Sequence, residues 1–291
     1  MAILITGATG VIGSFLLNSL KNRFQVLGIA RSSSNTQILS VDLSNITKND
    51  VNNLLNRRNI QVIIHCAAKL TILDELDSRF NESALKPFFD NPMSKKIKFI
   101  VLGSASEYGI ISNSIINEST PPNPITSYGI SKLKQTKLCE YYRNLGYDIT
   151  VLRLFNIVSQ NSSIKSLTGS IREQYLNNSN PTISLPSRSI QRDFIDLRDI
   201  SDAITQIISA SKAEFLYNIA SGKLTTYGEY VDIVNMCAKK YNLPKISINI
   251  TNEVEKYSNS HTDISLAMKS IQWQPKNKLI DSIEWAIFEK S

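Results

Sequence analysis

A tyrosine and a lysine lie four residues apart in the segment Pro124-Ile-Thr-Ser-Tyr-Gly-Ile-Ser-Lys132. Thr126 and Ser127 supply helix-capping chemistry, and an apolar-periodic pattern follows them, so the segment predicts the start of a helix. At this spacing Tyr128 and Lys132 share one helix face. A neighbouring ammonium favours phenolate, so the pair predicts a tyrosine whose pKa lies below about 10 and which exchanges a proton near neutral pH. The alternative is a surface Tyr and Lys that merely share a face.

A glycine-rich segment, Gly7-Ala-Thr-Gly-Val-Ile-Gly13, follows the apolar run Ala2–Thr6 and precedes the helical pattern Ser14–Asn22. Strand, glycine turn and helix in this order are the context that a dinucleotide-binding loop requires. The first glycine permits the tight turn, the second lets the backbone approach a pyrophosphate, and the third permits close helix packing. An ordinary turn between strand and helix is the alternative. The predicted cofactor contacts of this segment are Gly7, Thr9, Gly10, Val11, Ile12 and Gly13.

The second predicted strand, Gln25–Ala30, is followed by Arg31 and three serines. In a dinucleotide-binding fold, an acidic residue at this place binds the 2′-hydroxyl of NAD, whereas an arginine accommodates the 2′-phosphate of NADP. Arg31 therefore predicts NADP(H) as the preferred cofactor and NAD(H) as the alternative, although an arginine in a polar loop can also be simply solvated. Further cofactor contacts are predicted at Ser32, Asp42, Leu43, Cys66, Ala67 and Ala68.

Apolar strands alternate with helical patterns as far as residue 156, which predicts an α/β fold with a doubly wound parallel Rossmann sheet. The further strands are predicted at 37–41, 62–68, 98–102 and 148–154, and the helices at 48–58 and 73–91. Residues 159–189 are rich in Ser and Asn and lack this rhythm. They mark a smaller α/β C-terminal substrate domain. The predicted domains are 1–156 for NADP, with about 192–220 returning to it, and 157–291 mainly for the substrate.

Composition restricts the class of protein. The chain has 291 residues, 42% of them hydrophobic, and a net charge of +7. A core can therefore form, and the basic excess suits an anionic small molecule, since no nucleic-acid-binding motif is present. Three separated cysteines and two distant histidines argue against a disulfide framework or a metal site. The N-terminus is predicted to be a strand, not a signal peptide, and no apolar run approaches a membrane span, so a cytoplasmic protein is expected.

Eight short motifs occur along the chain in an order that is specific in combination, although each motif alone is not. They are Thr6-Gly-Ala-Thr-Gly-Val-Ile-Gly13, His65-Cys-Ala-Ala68, Gly103-Ser-Ala-Ser-Glu-Tyr-Gly109, Tyr128-Gly-Ile-Ser-Lys132, Leu152-Arg-Leu-Phe-Asn156, Arg192-Asp-Phe-Ile-Asp196, Tyr217-Asn-Ile-Ala-Ser-Gly222 and Trp273-Gln-Pro275. With them the chain resembles, end to end, the extended short-chain dehydrogenase/reductases of the NAD-dependent epimerase/dehydratase family that act on nucleotide sugars.

The resemblance implies a Rossmann domain and a small C-terminal domain that bind a nucleoside-diphosphate sugar. It implies that Tyr128 is the catalytic acid/base, and that Lys132 is its partner and touches the nicotinamide ribose. Ser104, the third catalytic residue, would hold the sugar carbonyl or hydroxyl. A homodimer through helices near 73–91 and 132–145 is also implied. The predicted substrate contacts are Ser104, Ser106, Asn156 and Arg192. Further predicted cofactor contacts are Tyr128, Lys132 and Phe155.

The reaction is predicted from two details. Family members that dehydrate the sugar usually have Thr-Asp-Glu where this chain has Ser104-Ala-Ser106, which lacks the additional acid and base. Epimerases usually carry an acidic residue at the place of Arg31. The segments Gly103-Ser-Ala-Ser-Glu-Tyr-Gly109 and Arg192-Asp-Phe-Ile-Asp-Leu-Arg-Asp199 look most like those of GDP-4-keto-6-deoxy-mannose reductases. NADPH-dependent reduction of the C4 keto group of a 4-keto-6-deoxy sugar nucleotide is therefore predicted. An NAD-dependent epimerase is the alternative, and a non-catalytic NADP-binding protein is less favoured. The family's C-terminal diphosphate element has no clear counterpart, and Lys256 is a substitute for it.

Overall fold

A computed structural model describes residues 1–111, 114–251 and 261–289. Lys256 lies outside the described residues. The strands are β1 Ala2–Thr6, β2 Gln25–Ala30, β3 Ile38–Ser40, β4 Ile60–His65, β5 Lys98–Ser104, β6 Ile115–Ile116, β7 Asp148–Leu154, β8 Asn156–Val158, β9 Thr182–Leu185, β10 Gln191–Asp196, β11 Leu216–Ile219, β12 Leu224–Thr226, β13 Ser247–Ile250 and β14 His261–Thr262. The α-helices are α1 Val11–Leu20, α2 Lys48–Arg58, α3 Glu75–Ser83, α4 Lys86–Phe89, α5 Ser127–Asn144, α6 Leu167–Asn177, α7 Leu197–Ser209, α8 Tyr227–Lys240, α9 Ser265–Ser270 and α10 Leu279–Ile287, and Pro92–Lys96 and Ala105–Glu107 form short 3-10 helices.

A seven-stranded sheet has the strand order β11-β7-β5-β4-β1-β2-β3. From β3 to β7 its neighbouring strands are parallel. The chain order reverses between β1 and β4, and in such sheets ligands bind beyond the carboxyl ends of the strands at this reversal. The predicted doubly wound parallel Rossmann sheet is confirmed. All five residues of β1 are buried, as an apolar strand covered on both faces requires.

The chain divides into two compact units. Unit 1 comprises Met1–Gly109, Glu118–Leu154 and Ile204–Tyr217. An aromatic cluster lies in its core, where the ring of Phe89 is 4.9 Å from that of Phe99 and 4.8 Å from that of Tyr142. These rings join α4, β5 and α5, so the helix that begins at Ser127 is held against the sheet by its apolar face.

Unit 2 comprises Ile110–Asn117, Phe155–Ala203 and Asn218–Ser291. It holds a three-stranded sheet in the order β12-β10-β8, in which β8 is parallel and β12 antiparallel to β10. Its own core includes Phe194 and Tyr230, whose rings lie 4.6 Å apart. A buried carboxylate, Asp193, accepts hydrogen bonds from the amides of Ser221 and Gly222, which fixes the turn after β11.

The helix predicted over 73–91 is wrong as a single element, because the chain forms α3 and then the short α4. Pro87 lies in the first turn of α4, and its missing amide hydrogen cannot continue the helix from α3. The first helix begins at Val11, three residues before the predicted Ser14. No helix in the described part of the chain is long and apolar enough to cross a membrane.

Candidate active site

The glycine-rich loop between β1 and α1 is closely packed. Gly7 has a φ of +65°, and a Cβ there would lie 2.8 Å from the backbone of Ala67. A Cβ on Gly13 would lie 2.2 Å from the Gly7 carbonyl oxygen, so this glycine packs against the loop itself. Both positions therefore require glycine for steric reasons. The loop brings the start of α1 to the carboxyl ends of β1 and β4.

The first turn of α1 fits an anionic group. Gly10 is the N-cap residue, no side chain in the described part of the chain caps this helix, and its first turn carries no acidic residue. Thr9 is exposed, and Val11 and Ile12 are half-buried. Backbone N–H groups at a helix start without a side-chain cap suit a pyrophosphate, which complements the helix dipole as well. These residues would hold the diphosphate of NAD(P).

The end of β4 supplies small residues next to this loop. Cys66, Ala67 and Ala68 are half-buried, and the Ala67 amide donates to Thr6 Oγ1 at 3.2 Å. Thr6 Oγ1 also lies 2.9 Å from Nδ1 of the buried His65. Burial lowers the pKa of His65 to about 3 and raises the pKa of the Cys66 thiol to about 12. The imidazole is therefore neutral and the thiol protonated at neutral pH, which leaves both in packing roles.

Residues after β2 and β3 form the predicted adenosine end. Arg31 and Ser32 are exposed. Asp42 accepts a hydrogen bond from the Ser44 amide at 2.9 Å, which lowers the pKa of its carboxyl, and the positive charge of Arg31 acts in the same direction. The Leu43 side chain is buried in the core of unit 1, so it supports the loop from inside.

Ser104 and Tyr128 are brought together because the 3-10 helix after β5 packs closely against the start of α5. Ser104 ends β5 and is 9% exposed. Tyr128 is the second residue of α5, whose N-cap Thr126 accepts a hydrogen bond from the Gly129 amide at 3.0 Å. A Cβ on Gly129 would lie 2.4 Å from the Ser106 carbonyl oxygen, so only glycine allows this approach. The Ser104 hydroxyl therefore lies beside the Tyr128 phenol, where it acts to lower the pKa of that phenol.

Lys132 lies on the same face of α5, one turn beyond Tyr128, and it is buried. Its ammonium donates hydrogen bonds to the Leu102 carbonyl oxygen and to Gln135 Oε1. Burial lowers the pKa of Lys132 to about 8, although the negative charge of Glu107 opposes that shift. The lysine is thus a fixed cation below this pH and a neutral amine above it.

The predicted lowering of the Tyr128 pKa is wrong. Burial raises the pKa of Tyr128 to about 12, the hydrogen bond from Ser104 lowers it in part, and the charge of Glu107 raises it further. Desolvation penalises the phenolate more than the neighbouring hydroxyl stabilises it. Tyr128 is therefore a phenol at neutral pH, which suits a proton donor.

Sequence reasoning missed a buried polar cluster beside this triad, formed by Glu107, Thr136, Gln135 and Arg153. Glu107 accepts from the Ser104 amide at 2.8 Å and from Arg153 Nε at 3.0 Å. The contact between Ser104 and Glu107 could have been predicted from the sequence, because Ser104-Ala-Ser-Glu107 has the spacing of a capping box. Arg153 carried no comparable signal, since its partner lies 46 residues away.

The remaining predicted substrate residues lie on different elements. Ser106 is exposed in the 3-10 helix after Ser104. In unit 2, Asn156 begins β8, and its side-chain amide donates a hydrogen bond to the Asp193 carbonyl oxygen at 2.9 Å. Arg192, which precedes Asp193 in the chain, has its guanidinium 5.7 Å from the centre of the Tyr227 ring. Phe155 is half-buried directly before Asn156.

A family model described as the NAD dependent epimerase/dehydratase family matches residues 3–220. The chain belongs to this family. The match confirms the predicted family and the prediction of an NAD(P)-dependent enzyme of the extended short-chain dehydrogenase/reductase type. It spans both the glycine-rich loop and the Ser104–Tyr128–Lys132 triad.

Relatives within the epimerase/dehydratase family differ in the reaction that their names describe. The chain is 28% identical over 231 residues to GDP-6-deoxy-D-talose 4-dehydrogenase of Aggregatibacter actinomycetemcomitans, covering 76% of this chain and 75% of that one. Its fold is similar to that of UDP-glucuronic acid 4-epimerase from Bacillus cereus in complex with UDP-glucuronic acid and NAD, with a TM-score of 0.86, 22% identity and coverage of 99% and 98% of the two chains. It is also similar to that of RMD from Pseudomonas aeruginosa complexed with NADPH, with a TM-score of 0.81, 18% identity and coverage of 98% and 95%. Two of these proteins are named for reactions of nucleotide sugars, and the two structures hold NAD or NADPH.

Proposed function

We propose that the chain catalyses NADPH-dependent reduction of the C4 keto group of a nucleoside-diphosphate 4-keto-6-deoxy sugar. The observation that carries the proposal is the close approach of the segment after Ser104 to the start of α5, which places Ser104 beside the protonated Tyr128, with the buried Lys132 one helical turn further along. The relative named as a 4-dehydrogenase of a 6-deoxy sugar nucleotide supports redox chemistry at that carbon. Ala105 and Ser106 offer no acid and base for a dehydration, which supports the choice of reduction.

In this proposal the glycine-rich loop would hold NADPH, which when bound would provide a hydride for C4. Ser104 donates a hydrogen bond to the carbonyl oxygen and stabilises the negative charge that develops there. Tyr128 transfers its phenolic proton to the same oxygen, so the carbonyl becomes a hydroxyl and Tyr128 a phenolate that solvent reprotonates. The Lys132 ammonium stabilises the phenolate electrostatically while it exists.

We infer that unit 2 supplies the contacts to the nucleoside diphosphate. The Arg192 guanidinium lies over the Tyr227 ring and donates a hydrogen bond to the Gln191 carbonyl oxygen. The Asn156 side chain is held by its hydrogen bond to the carbonyl oxygen of Asp193, the residue after Arg192. An ordered guanidinium suits a diphosphate, because it can donate two parallel hydrogen bonds. The homodimer through α3 and α5, like the division into an NADP domain and a substrate domain, stays a prediction.

The proposal is tested by mixing the purified chain with NADPH and GDP-, dTDP- or CDP-linked 4-keto-6-deoxy sugars in parallel. We expect loss of absorbance at the reduced nicotinamide band with at least one of them, and one equivalent of 4-hydroxy product by mass spectrometry. Absence of NADPH oxidation with the whole panel would rule the reductase out.

A C4 epimerase is the second candidate, favoured by the similarity in fold to UDP-glucuronic acid 4-epimerase. The triad serves this reaction equally well, because Tyr128 can remove a proton from a C4 hydroxyl as the reverse of donating one. Tightly retained NAD after purification, together with interconversion of sugar nucleotides without net redox change, would identify this activity instead.

Cofactor preference is predicted to depend on Arg31. Replacing Arg31 with Ala is expected to weaken NADPH binding by about 10- to 100-fold, the value of one or two charge-assisted hydrogen bonds to the 2′-phosphate. NADH affinity should stay nearly constant, because NADH lacks that phosphate. Fluorescence titration with both cofactors measures the ratio, and Lys21→Ala, which removes another exposed cation of unit 1, is the matched control. Equal weakening of both cofactors would show that Arg31 does not contact the 2′-phosphate.

Turnover is predicted to fall as the pH rises through about 8, the value to which burial lowers the pKa of Lys132. Above it Lys132 is neutral and no longer stabilises the Tyr128 phenolate, whereas Tyr128 itself stays protonated up to a pKa of about 12. The profile of kcat between about pH 6 and 10 measures this limb. Lys132→Met should lower kcat and remove the limb. A wild-type kcat that stays constant across this range would contradict the role of Lys132.

A further inference from the structure

Glu107 is a fully buried carboxylate that contacts three elements, of which β5 and α5 carry the triad. Its Oε1 accepts the Ser104 amide at 2.8 Å, at the end of β5. Its Oε2 accepts Thr136 Oγ1 of α5 at 2.8 Å and Arg153 Nε of β7 at 3.0 Å. One carboxylate therefore connects the strand that ends in Ser104 with the helix that carries Tyr128 and Lys132.

The surroundings of Glu107 are built around this contact. Gly103 leaves room for the carboxylate, because a Cβ there would lie 2.8 Å from Glu107 Oε1. Arg153 is 3% exposed, pairs with Gly103 in the sheet register, and stacks over the Tyr108 ring at 4.4 Å. A buried charge of this kind is tolerated only with a partner and full hydrogen bonding, and both are present.

The contact at Thr136 lies on the same face of α5 as the catalytic pair. Residues 128, 132 and 136 are spaced by four, so Thr136 follows Lys132 by one turn. Fixing Thr136 to Glu107 therefore fixes the rotation of α5 about its axis, and with it the direction of Tyr128 toward Ser104. The charge of Glu107 also acts on Lys132, where it favours the ammonium form against burial.

We propose that Glu107 is a positioning residue of this active site, which orients Ser104 against Tyr128 and supplies the negative charge that balances Lys132. The inference rests on the proposed reductase function for its effect on turnover. Its effect on the ionisation of Lys132 depends on the buried geometry alone.

The test uses Glu107→Gln, with Thr136→Val as the matched control that removes one hydrogen bond and keeps the charge. In Glu107→Gln we expect kcat for the ketosugar to fall by about 10- to 100-fold with little change in KM, as for a misplaced catalytic group. The titration of Lys132 is followed by carbon NMR of its ε-methylene, and the signal is assigned with Lys132→Met. Its midpoint should fall by about one pH unit in Glu107→Gln. In Thr136→Val the midpoint should stay at its wild-type value.

Glu107→Gln leaves Arg153 without its carboxylate and can fail to fold, so Glu107→Gln/Arg153→Gln, which replaces the ion pair by two neutral amides, is made in parallel. A fall in the same direction but smaller is expected in the double variant, because Arg153→Gln removes a positive charge together with the negative charge of Glu107. An unchanged midpoint in the folded variants, or an unchanged kcat, overturns the proposal. The titration needs no substrate, so a protein inactive on every ketosugar contradicts the reductase function while the midpoint still decides the role of Glu107.

Discussion

Replacing Tyr128 with Phe is expected to abolish turnover of the ketosugar while leaving cofactor binding nearly unchanged. The substitution removes only the hydroxyl that lies beside Ser104 and that we propose as the proton donor. Loss of a positioned general acid lowers kcat by about 100- to 10,000-fold. The phenyl ring refills the same half-buried space, and the proposed diphosphate contacts lie on another element, α1. Steady-state kinetics and NADPH fluorescence titration on the same preparation measure both quantities.

The matched control is Tyr141→Phe, which removes a hydroxyl from the same helix at a position that is 60% exposed. Its kcat should equal that of the wild type within about twofold. A residual kcat in Tyr128→Phe close to the wild-type value would refute the assignment of Tyr128 as proton donor. A parallel loss of NADPH affinity would instead indicate that the substitution disturbs the cofactor loop.

Replacing Gly7 with Ala is expected to have the second largest effect, on stability and on cofactor binding together. Two costs combine, since a non-glycine residue in the left-handed region costs about 1–2 kcal/mol and forcing an atom into a packed site costs about 1–3 kcal/mol. The added Cβ would lie 2.8 Å from the Ala67 backbone and would push the loop off the end of β4. We expect NADPH affinity to fall at least about 10-fold, because the loop backbone then misses the pyrophosphate.

Gly146→Ala separates these two costs. Gly146 also has a left-handed φ, of +88°, but no atom lies within 4 Å of a Cβ built on it. This variant should lose about 1 kcal/mol of unfolding free energy and keep its NADPH affinity. Urea denaturation and cofactor titration of both variants give the comparison. Equal losses of stability, with equal cofactor affinity, would show that the contact between Gly7 and Ala67 has no functional importance.

Local signals in the sequence predicted the parts of the site that depend on neighbouring residues. The apolar run, the glycine spacing and the following helix predicted the loop at β1 and α1, because each glycine is required by backbone geometry within a few residues. The Thr126 cap and the spacing of Tyr128 and Lys132 predicted α5 for the same reason. The alternation of strands and helices predicted the parallel sheet.

Tertiary structure decided the electrostatics of the site and the residues that hold it. The pKa of Tyr128 rises, although the spacing to Lys132 predicted that it would fall, because desolvation depends on all the atoms packed around the phenol. Lys132 donates to Leu102, which lies 30 residues away, and Glu107 pairs with Arg153, which lies 46 residues away. The sequence by itself determined which residues can do the chemistry, since that depends on side-chain type and local spacing. Only folding decided their protonation and orientation, because those depend on burial and on partners that are distant along the chain.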